Sequence, residues 1–289
     1  MNSIQESKIP LSVVVITLNE EKNIERCLKS ASFADECVVL DSGSQDRTQE
    51  RARNLGARVF QEPWKGFGPQ KRRAAELARN DWILSIDADE VVTVQLEEEI
   101  RERILNSNSN SSSNSSSNSN SGLSSGSRQG LNPQTAYRLP RRSFYLGRWI
   151  RYGGWYPDYQ TRLFHRHHSQ WDDRIIHEKV EAMHTEKLHA PLGHFVFRDL
   201  AHQVATNNHY STLQARELQA KGKRFSLLKL LFKPGTKFFE CYIFKLGFLD
   251  GMPGFIIAVG AAYSVFIRWA KIWEATCVKK GAADVSENL

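Results

Sequence analysis

From residue 11 the chain reads LSVVVIT, a continuous β-branched run without a polar face, which predicts a strand buried on both sides. The next segment, NEEKNIERCLKSA, changes period: Ile24, Cys27, Leu28 and Ala31 recur at the spacing of an amphipathic helix. The alternation then repeats. ECVVLDS, ARVFQE and WILSID are strand-like, while SQDRTQERARNLG, closed by Gly56, and PQKRRAAELARN are helix-like. Strands separated by helices of this length imply βαβ units, hence an α/β fold with a mostly parallel central sheet flanked by helices. Ligands of such sheets bind beyond the carboxyl ends of the strands. Those ends carry Thr17, Asn19 and Glu20, then Asp41 and Ser42, then Asp87 and Asp89.

Further along, LEEEIRERIL is helix-like, and residues 106–121 are only Asn and Ser, followed by GLSSGSRQG. Such a tract has nothing with which to bury a core, so 106–130 is expected to be a disordered insertion within a domain. Residues 131–201 are aromatic and basic, with strand-like TAYRLPR and RLFHR. After 202 the pattern turns helical, first polar and then apolar. The longest apolar run, GFIIAVGAAYSVFI at 254–267, falls short of the roughly 18–20 residues of a spanning helix. Residues 225–273 mix Phe, Leu, Ile and Trp with Lys229, Lys233, Lys237, Lys245, Arg268 and Lys271. That is the composition of an in-plane anchor on an anionic membrane; a buried helical subdomain or a dimer interface would read the same way.

Charge narrows the partners. A net charge of +7 and pI near 9.2 call for something anionic: a nucleotide, a phosphorylated glycolipid, a membrane surface or nucleic acid. No RNP, KH, zinc-finger or helix-turn-helix pattern is present, which sets nucleic acid aside. The N-terminus lacks the charged region and cleavage site of a signal peptide, and Cys27, Cys37, Cys241 and Cys277 form no CxxC. Both features predict a reduced, cytoplasmic setting.

The chemistry concentrates in DWILSIDADE. Residues i and i+2 of a strand share a face, so Asp87 and Asp89 are expected to share one hard divalent cation, Mg²⁺ or Mn²⁺. An acidic cap on a following helix is the alternative. In DSGSQDRT, Asp41 can accept hydrogen bonds from a base or ribose and Gly43 allows close backbone approach, while Ser44 or Asp46 can cap the next helix. Lys71, in QKRR, either meets a phosphate or is one more solvated charge. The tract HRHHSQW lacks zinc-site spacing and reads as a solvated loop. Arg138, Arg141, Arg142, Arg148 and Arg151 interleave with Phe144, Tyr145, Trp149 and Trp155, a composition able to grip phosphates and stack sugars.

ITLNEE, VVLDSGSQDRT, GFGPQKRRAAELARNDWILSIDADE, YPDYQTRLFHR and IIHEKVE together resemble an inverting family 2 glycosyltransferase of the GT-A fold, and within it the bacterial lipopolysaccharide-core β-1,4-glucosyltransferases. The resemblance covers about residues 10–275 apart from the Asn/Ser tract. It implies a GT-A, Rossmann-like sheet with a helical C-terminal extension. Residues 1–105 become the nucleotide-sugar-binding half, 131–201 the acceptor-binding and catalytic half, and 202–289 a helical, membrane-associated region. The family's nucleotide pocket falls on Thr17, Glu20 and Asp41, with Asn19 and Ser42 beside them in sequence. Its basic residue falls on Lys71, where many relatives have Arg. Asp87 matches the aspartate near ribose and diphosphate, Asp89 the metal ligand, and His194 the histidine that completes the metal site; a lone strand histidine is also often structural.

For the base, the resemblance implies Glu178, in His177-Glu178 where most relatives have Glu-Asp, with Asp158 as second candidate or as a holder of acceptor hydroxyls. A surface salt bridge of Glu178 with Lys179 or Arg174 is the plainer reading. The implied reaction is Mn²⁺- or Mg²⁺-dependent transfer of a hexose, glucose from UDP-glucose, to a lipid-linked glycan such as the lipopolysaccharide inner core. The enzyme would be cytoplasmic and peripheral on the inner face of the bacterial inner membrane. Two other classes remain. A nucleotidyltransferase would carry a Gly-rich basic loop after the first strand, which TLNEEKN is not. A non-catalytic, membrane-bound degenerate domain would not need intact Asp41, Asp87, Asp89 and Glu178.

Overall fold

A computed structural model describes residues 7–112, 129–173 and 178–278. In chain order the elements are β1 (Ile9–Thr17), α1 (Ile24–Ser30), β2 (Ala34–Asp41), α2 (Thr48–Asn54), β3 (Arg58–Gln61), α3 (Phe67–Glu76), β4 (Trp82–Asp87), β5 (Glu90–Val92) and α4 (Val94–Ser112). Then come β6 (Thr135–Tyr145), β7 (Arg148–Trp149), β8 (Asp158–His165), β9 (Gln170–Trp171), β10 (Val180–Glu181), β11 (His184–Lys187), β12 (Leu192–His194), α5 (Leu200–Ala220), α6 (Leu227–Phe239) and α7 (Gly251–Trp273). The chain forms two compact units, Met1–Arg141 with Asp158–His194, and Arg142–Pro157 with Phe195–Leu289. The stretch 131–201, expected to be one functional half, is therefore divided: 142–157 and 195–201 belong with the C-terminal helices.

The first unit is the expected α/β architecture. Its sheet runs β3-β2-β1-β4-β8-β6-β12-β5, with β11 on β6. The first four strands are parallel, and β8 then enters antiparallel to both β4 and β6. β1 lies inside the sheet and is buried on both faces, which is why its sequence shows no alternation. Val13 and Val15 pack with Ile24 and Leu28 of α1 and with Leu96, Ile100 and Ile104 of α4. Val14, with Val38, Leu40 and Ile83, packs against Ala74 and Ala75 of α3 on the other face. Each fully buried aliphatic side chain contributes about 1.5–3 kcal/mol, so this three-layer core fixes where the strand ends lie.

Helix α4 runs to Ser112, into the tract expected to be disordered. A formed helix propagates at little cost per residue, and the Ser107 hydroxyl lies 2.8 Å from the Arg103 carbonyl and 3.2 Å from that of Leu131. The remainder of the insertion, 113–128, lies outside the described residues.

In the second unit, the end of β6 and β7 form a hairpin, Phe144 opposite Trp149 and Tyr145 opposite Arg148. Its two turn residues, Leu146 and Gly147, have φ of 45° and 81°. At the start of α7, a Cβ on Gly254 would sit 1.9 Å from the Gly247 carbonyl oxygen, so only glycine lets the helix begin there. The helical stretch Gly247–Val278, 32 residues with a mean hydropathy of 1.5 over its most apolar window, is long and apolar enough to cross a membrane by length and composition. This corrects the expectation drawn from 254–267 alone. The charges that end that run do not end the helix: Arg268 bonds Gln214 at 2.9 Å, and Lys271 Nζ donates to the Asn208 carbonyl, Ser211 and Thr212 of α5 at 2.7–2.8 Å. α6 buries none of its residues. Leu227, Leu228, Leu231 and Phe232 are exposed alongside Lys229 and Lys233.

Candidate active site

Strand register builds the site. Thr17 lies opposite Asp41 and Ile16 opposite Asp87, so the carboxyl ends of β1, β2 and β4 form one ledge. The Thr17 hydroxyl donates to Asp41 Oδ2 at 2.9 Å. Asp41 is fully buried and also accepts from the Gly43 and Ser44 N–H groups (3.0 and 2.8 Å) and from Gln49 Nε2 (2.7 Å). Burial alone would raise its pKa, but the hydrogen bonds from Ser44, Thr17 and Gly43 outweigh it and lower the value. Asp41 thus shapes the loop after β2, and Asp46, just ahead of α2, accepts the Thr48 N–H at 3.0 Å. Asn19, at φ 58°, locks the neighbouring loop to this one: its N–H donates to Ser44 Oγ and its Oδ1 accepts from Gln45, both at 2.8 Å. The Glu20 N–H donates to Thr48 Oγ1 at 2.8 Å, and Ser42 Oγ accepts from Gln70 at 3.3 Å. Of the residues expected around a nucleotide, Thr17 and Asp41 thus end β1 and β2, and Asn19, Glu20 and Ser42 lie in the two interlocked loops that follow.

Beyond β4 lies a continuous chain of charges. Lys71 of α3 is 3% exposed, which rules out the alternative of one more solvated charge. Its Nζ lies 3.0 Å from Asp87 Oδ1, 2.8 Å from Glu178 Oε1 and 4.8 Å above the Trp171 ring. Glu178 is thus paired with Lys71 and not with Lys179; Arg174 and His177 lie outside the described residues. Asp87 Oδ2 takes Arg162 Nη2, which also reaches the wholly buried Glu90 at 2.7 Å. Glu90 accepts the Asp87 N–H at 3.0 Å and lies 3.3 Å from Arg141 Nη1. Arg141 in turn grips Asp158 Oδ2 through Nε (3.0 Å) and Nη2 (2.7 Å), and Gln160 holds the other oxygen at 2.8 Å. Burial alone would raise the Asp87 pKa; Arg162, Lys71 and Arg141 outweigh it and hold the carboxyl well below the usual range.

Glu90 and Arg162 are the residues to which sequence reasoning gave no role in the site. The available signal was a charge set against a buried apolar run, Glu90 after WILSIDAD and Arg162 ahead of LF. Arg141, read as a phosphate grip, is instead occupied by Asp158 and Glu90.

The DADE segment is not one strand. β4 stops at Asp87, a turn follows, and β5 starts at Glu90, so the two aspartates do not share a strand face. Asp87 faces Lys71 and Arg162, whereas Asp89 Oδ2 lies 3.3 Å from His194 Nε2. The β12–β5 pairing, His194 opposite Glu90, brings the imidazole there. Among the described residues no group of three His, Cys, Asp or Glu side chains is gathered for a metal. The chemistry nonetheless fits a divalent cation in one way. A carboxylate and an imidazole supply two donors, and phosphate oxygens or water fill the rest. Asp87, held by two cations, is not an open third donor.

The family model described as Glycosyl transferase family 2 matches residues 12–183. An uncharacterized glycosyltransferase of Rickettsia bellii (strain RML369-C) is 30% identical over 271 residues, covering 91% of this chain and 86% of that protein. The lipopolysaccharide core biosynthesis glycosyltransferase LpsC of Rhizobium meliloti (strain 1021) is 28% identical over 285 residues, 94% of this chain and 95% of its own length. Among solved structures, glucosyl-3-phosphoglycerate synthase from Mycobacterium tuberculosis overlaps 28% of this chain and 34% of its own at 37% identity, with a TM-score of 0.26. The family match sets the nucleotidyltransferase alternative aside. With the family matched over more than half of its length, this chain belongs to glycosyl transferase family 2 and is a glycosyltransferase.

Proposed function

We propose that the chain is a metal-dependent inverting hexosyltransferase that moves glucose from UDP-glucose onto a lipid-linked glycan of the lipopolysaccharide inner-core kind, at the cytoplasmic face of a bacterial inner membrane. The observation that carries this reading is the buried link from Glu178 through Lys71 to Asp87, beside the Asp89–His194 pair. A donor diphosphate reaching Lys71 competes with two carboxylates for one ammonium, and so frees Glu178. Glu178 then takes the proton of the acceptor hydroxyl as that oxygen bonds to the anomeric carbon; the bond from that carbon to the phosphate oxygen breaks and the nucleoside diphosphate leaves from the opposite face. Mn²⁺ or Mg²⁺ held by Asp89 and His194 would stabilise charge on the departing diphosphate. Asp158, clamped by Arg141, suits holding an acceptor hydroxyl better than removing its proton.

The similarity to LpsC supports a lipid-linked glycan as acceptor. The exposed leucines, Phe232 and lysines of α6 support a place at an anionic membrane surface. The test is calorimetry with a panel of nucleotide sugars, in Mn²⁺ and then in EDTA. UDP-glucose is expected to bind in Mn²⁺ and to weaken at least about tenfold in EDTA, the loss of one strong electrostatic contact. Absence of binding by every sugar nucleotide to folded protein would overturn the reading.

A further inference from the structure

The second unit contains a concavity of about 610 Å³ lined by Arg142, Phe144, Arg148, Trp149, Arg151 and Tyr152, with Leu249 at its edge. Of its three arginines only Arg148 has a carboxylate partner among the described residues. Asp250 is buried, lies 3.7 Å from Arg148 Nη2, and uses its other oxygen to accept the N–H groups of Arg151 (3.0 Å) and Tyr152 (2.8 Å). Arg142 and Arg151 have no carboxylate partner among the described residues, and Arg142 Nε is buried without a hydrogen-bond partner. Burial, and then the like charge of Arg151, lower the Arg142 pKa, a direction that a bound anion would reverse.

The aromatic partner is in place. The Arg142 guanidinium lies 5.8 Å over the Trp149 ring, and Trp149 packs edge-on to Phe144 at 5.3 Å. An aromatic face beside forked donors suits a sugar ring bearing a phosphate: the ring stacks and the guanidinium takes two oxygens. Leu249, which also lines the concavity, is 48% exposed and adds an apolar side chain.

We propose that this concavity binds the phosphorylated saccharide of a membrane glycolipid, with Arg142 and Arg151 on the phosphate ester, Trp149 under the sugar ring, and Leu249 toward the acyl chains. This rests on reading the chain as a transferase to a lipid-linked glycan. The test uses the full chain and vesicle flotation, with phosphatidylcholine vesicles carrying either a phosphorylated glucosamine lipid or phosphatidylglycerol at equal surface charge. The wild type is expected to bind the glycolipid vesicles about tenfold more tightly, the worth of one charge-assisted contact. Arg142→Gln with Arg151→Gln should abolish that preference, and the exposed single change Arg151→Gln, folded by circular dichroism, should reduce it. Glucose 6-phosphate should quench tryptophan fluorescence at lower concentration than inorganic phosphate. Equal affinity for both vesicles, equal quenching by the two phosphates, or an unaltered double variant would each overturn the proposal. Binding of UDP-glucose to the wild type is measured separately, so failure of the donor reading and failure of this subsite give different results.

Discussion

Lys71 Nζ stands 2.8 Å from Glu178 Oε1 and 3.0 Å from Asp87 Oδ1, so one buried ammonium joins the end of β4 to the segment leading into β10. Removing it strands charge in a buried place. Lys71→Met should destabilise the fold by about 3 kcal/mol, as expected when one partner of a buried ion pair is lost, and should weaken UDP binding. Urea denaturation and calorimetry read the two effects; a loss within experimental error in both would mean that the bridge holds nothing.

Glu178→Gln keeps the shape of the side chain and removes its basicity. It should leave donor affinity within about twofold and cut transfer on the order of 100-fold or more, the usual worth of a general base. Asp158 already carries an Arg141 fork and a Gln160 bond, so Asp158→Asn should act mainly on acceptor KM. If it lowers kcat instead while Glu178→Gln does not, the base is Asp158.

Asp89→Ala and His194→Ala remove the two ends of a 3.3 Å contact. Each should lower Mn²⁺-dependent UDP affinity by about tenfold or more, while affinity in EDTA stays as in the wild type. An unchanged difference between Mn²⁺ and EDTA would sink the assignment of these side chains to a cation.

Acid should expose the Asp87 contribution. Its folded pKa is depressed, so its stabilisation is complete above the unfolded value near 4 and is lost as pH falls below that toward the folded value. Between about pH 4 and 2, wild-type stability should fall more steeply than that of Asp87→Asn. Parallel slopes in chemical denaturation across that window would contradict the ion-pair account.

Leu228 and Phe232, 69% and 64% exposed on α6, are the side chains best placed to enter a bilayer surface. Changing both to Ser should weaken binding to anionic vesicles by about tenfold or more, since each forfeits a kcal/mol-scale burial. Raised salt should weaken the wild type further by screening Lys229, Lys233 and Lys237. Binding that ignores both changes would place the membrane contact elsewhere.

The parallel half of the fold was legible because local period decides it: LSVVVIT and WILSID can only be buried strands, and Ile24, Cys27, Leu28 and Ala31 can only line one face of a helix. The site was legible residue by residue but not in its wiring. Lys71 meets Glu178 only because α3 and the segment after β9 converge, and His194 meets Asp89 only through the β12–β5 register. No spacing rule reaches across such separations. The assumption that Asp87 and Asp89 share a strand failed for a local reason, since the chain turns between them. The extent of α7 was missed because Arg268 and Lys271 look like stops, whereas α5 supplies their partners.

The clasp at Asp250 has a mechanical consequence. One buried carboxylate at the threshold of α7 grips the backbone of Arg151 and Tyr152 and the side chain of Arg148. The hairpin and the long apolar helix therefore travel as a single lever. Were α7 to settle into lipid, its depth would set the height at which the arginines stand above the headgroups, and with it the length of glycan they can meet.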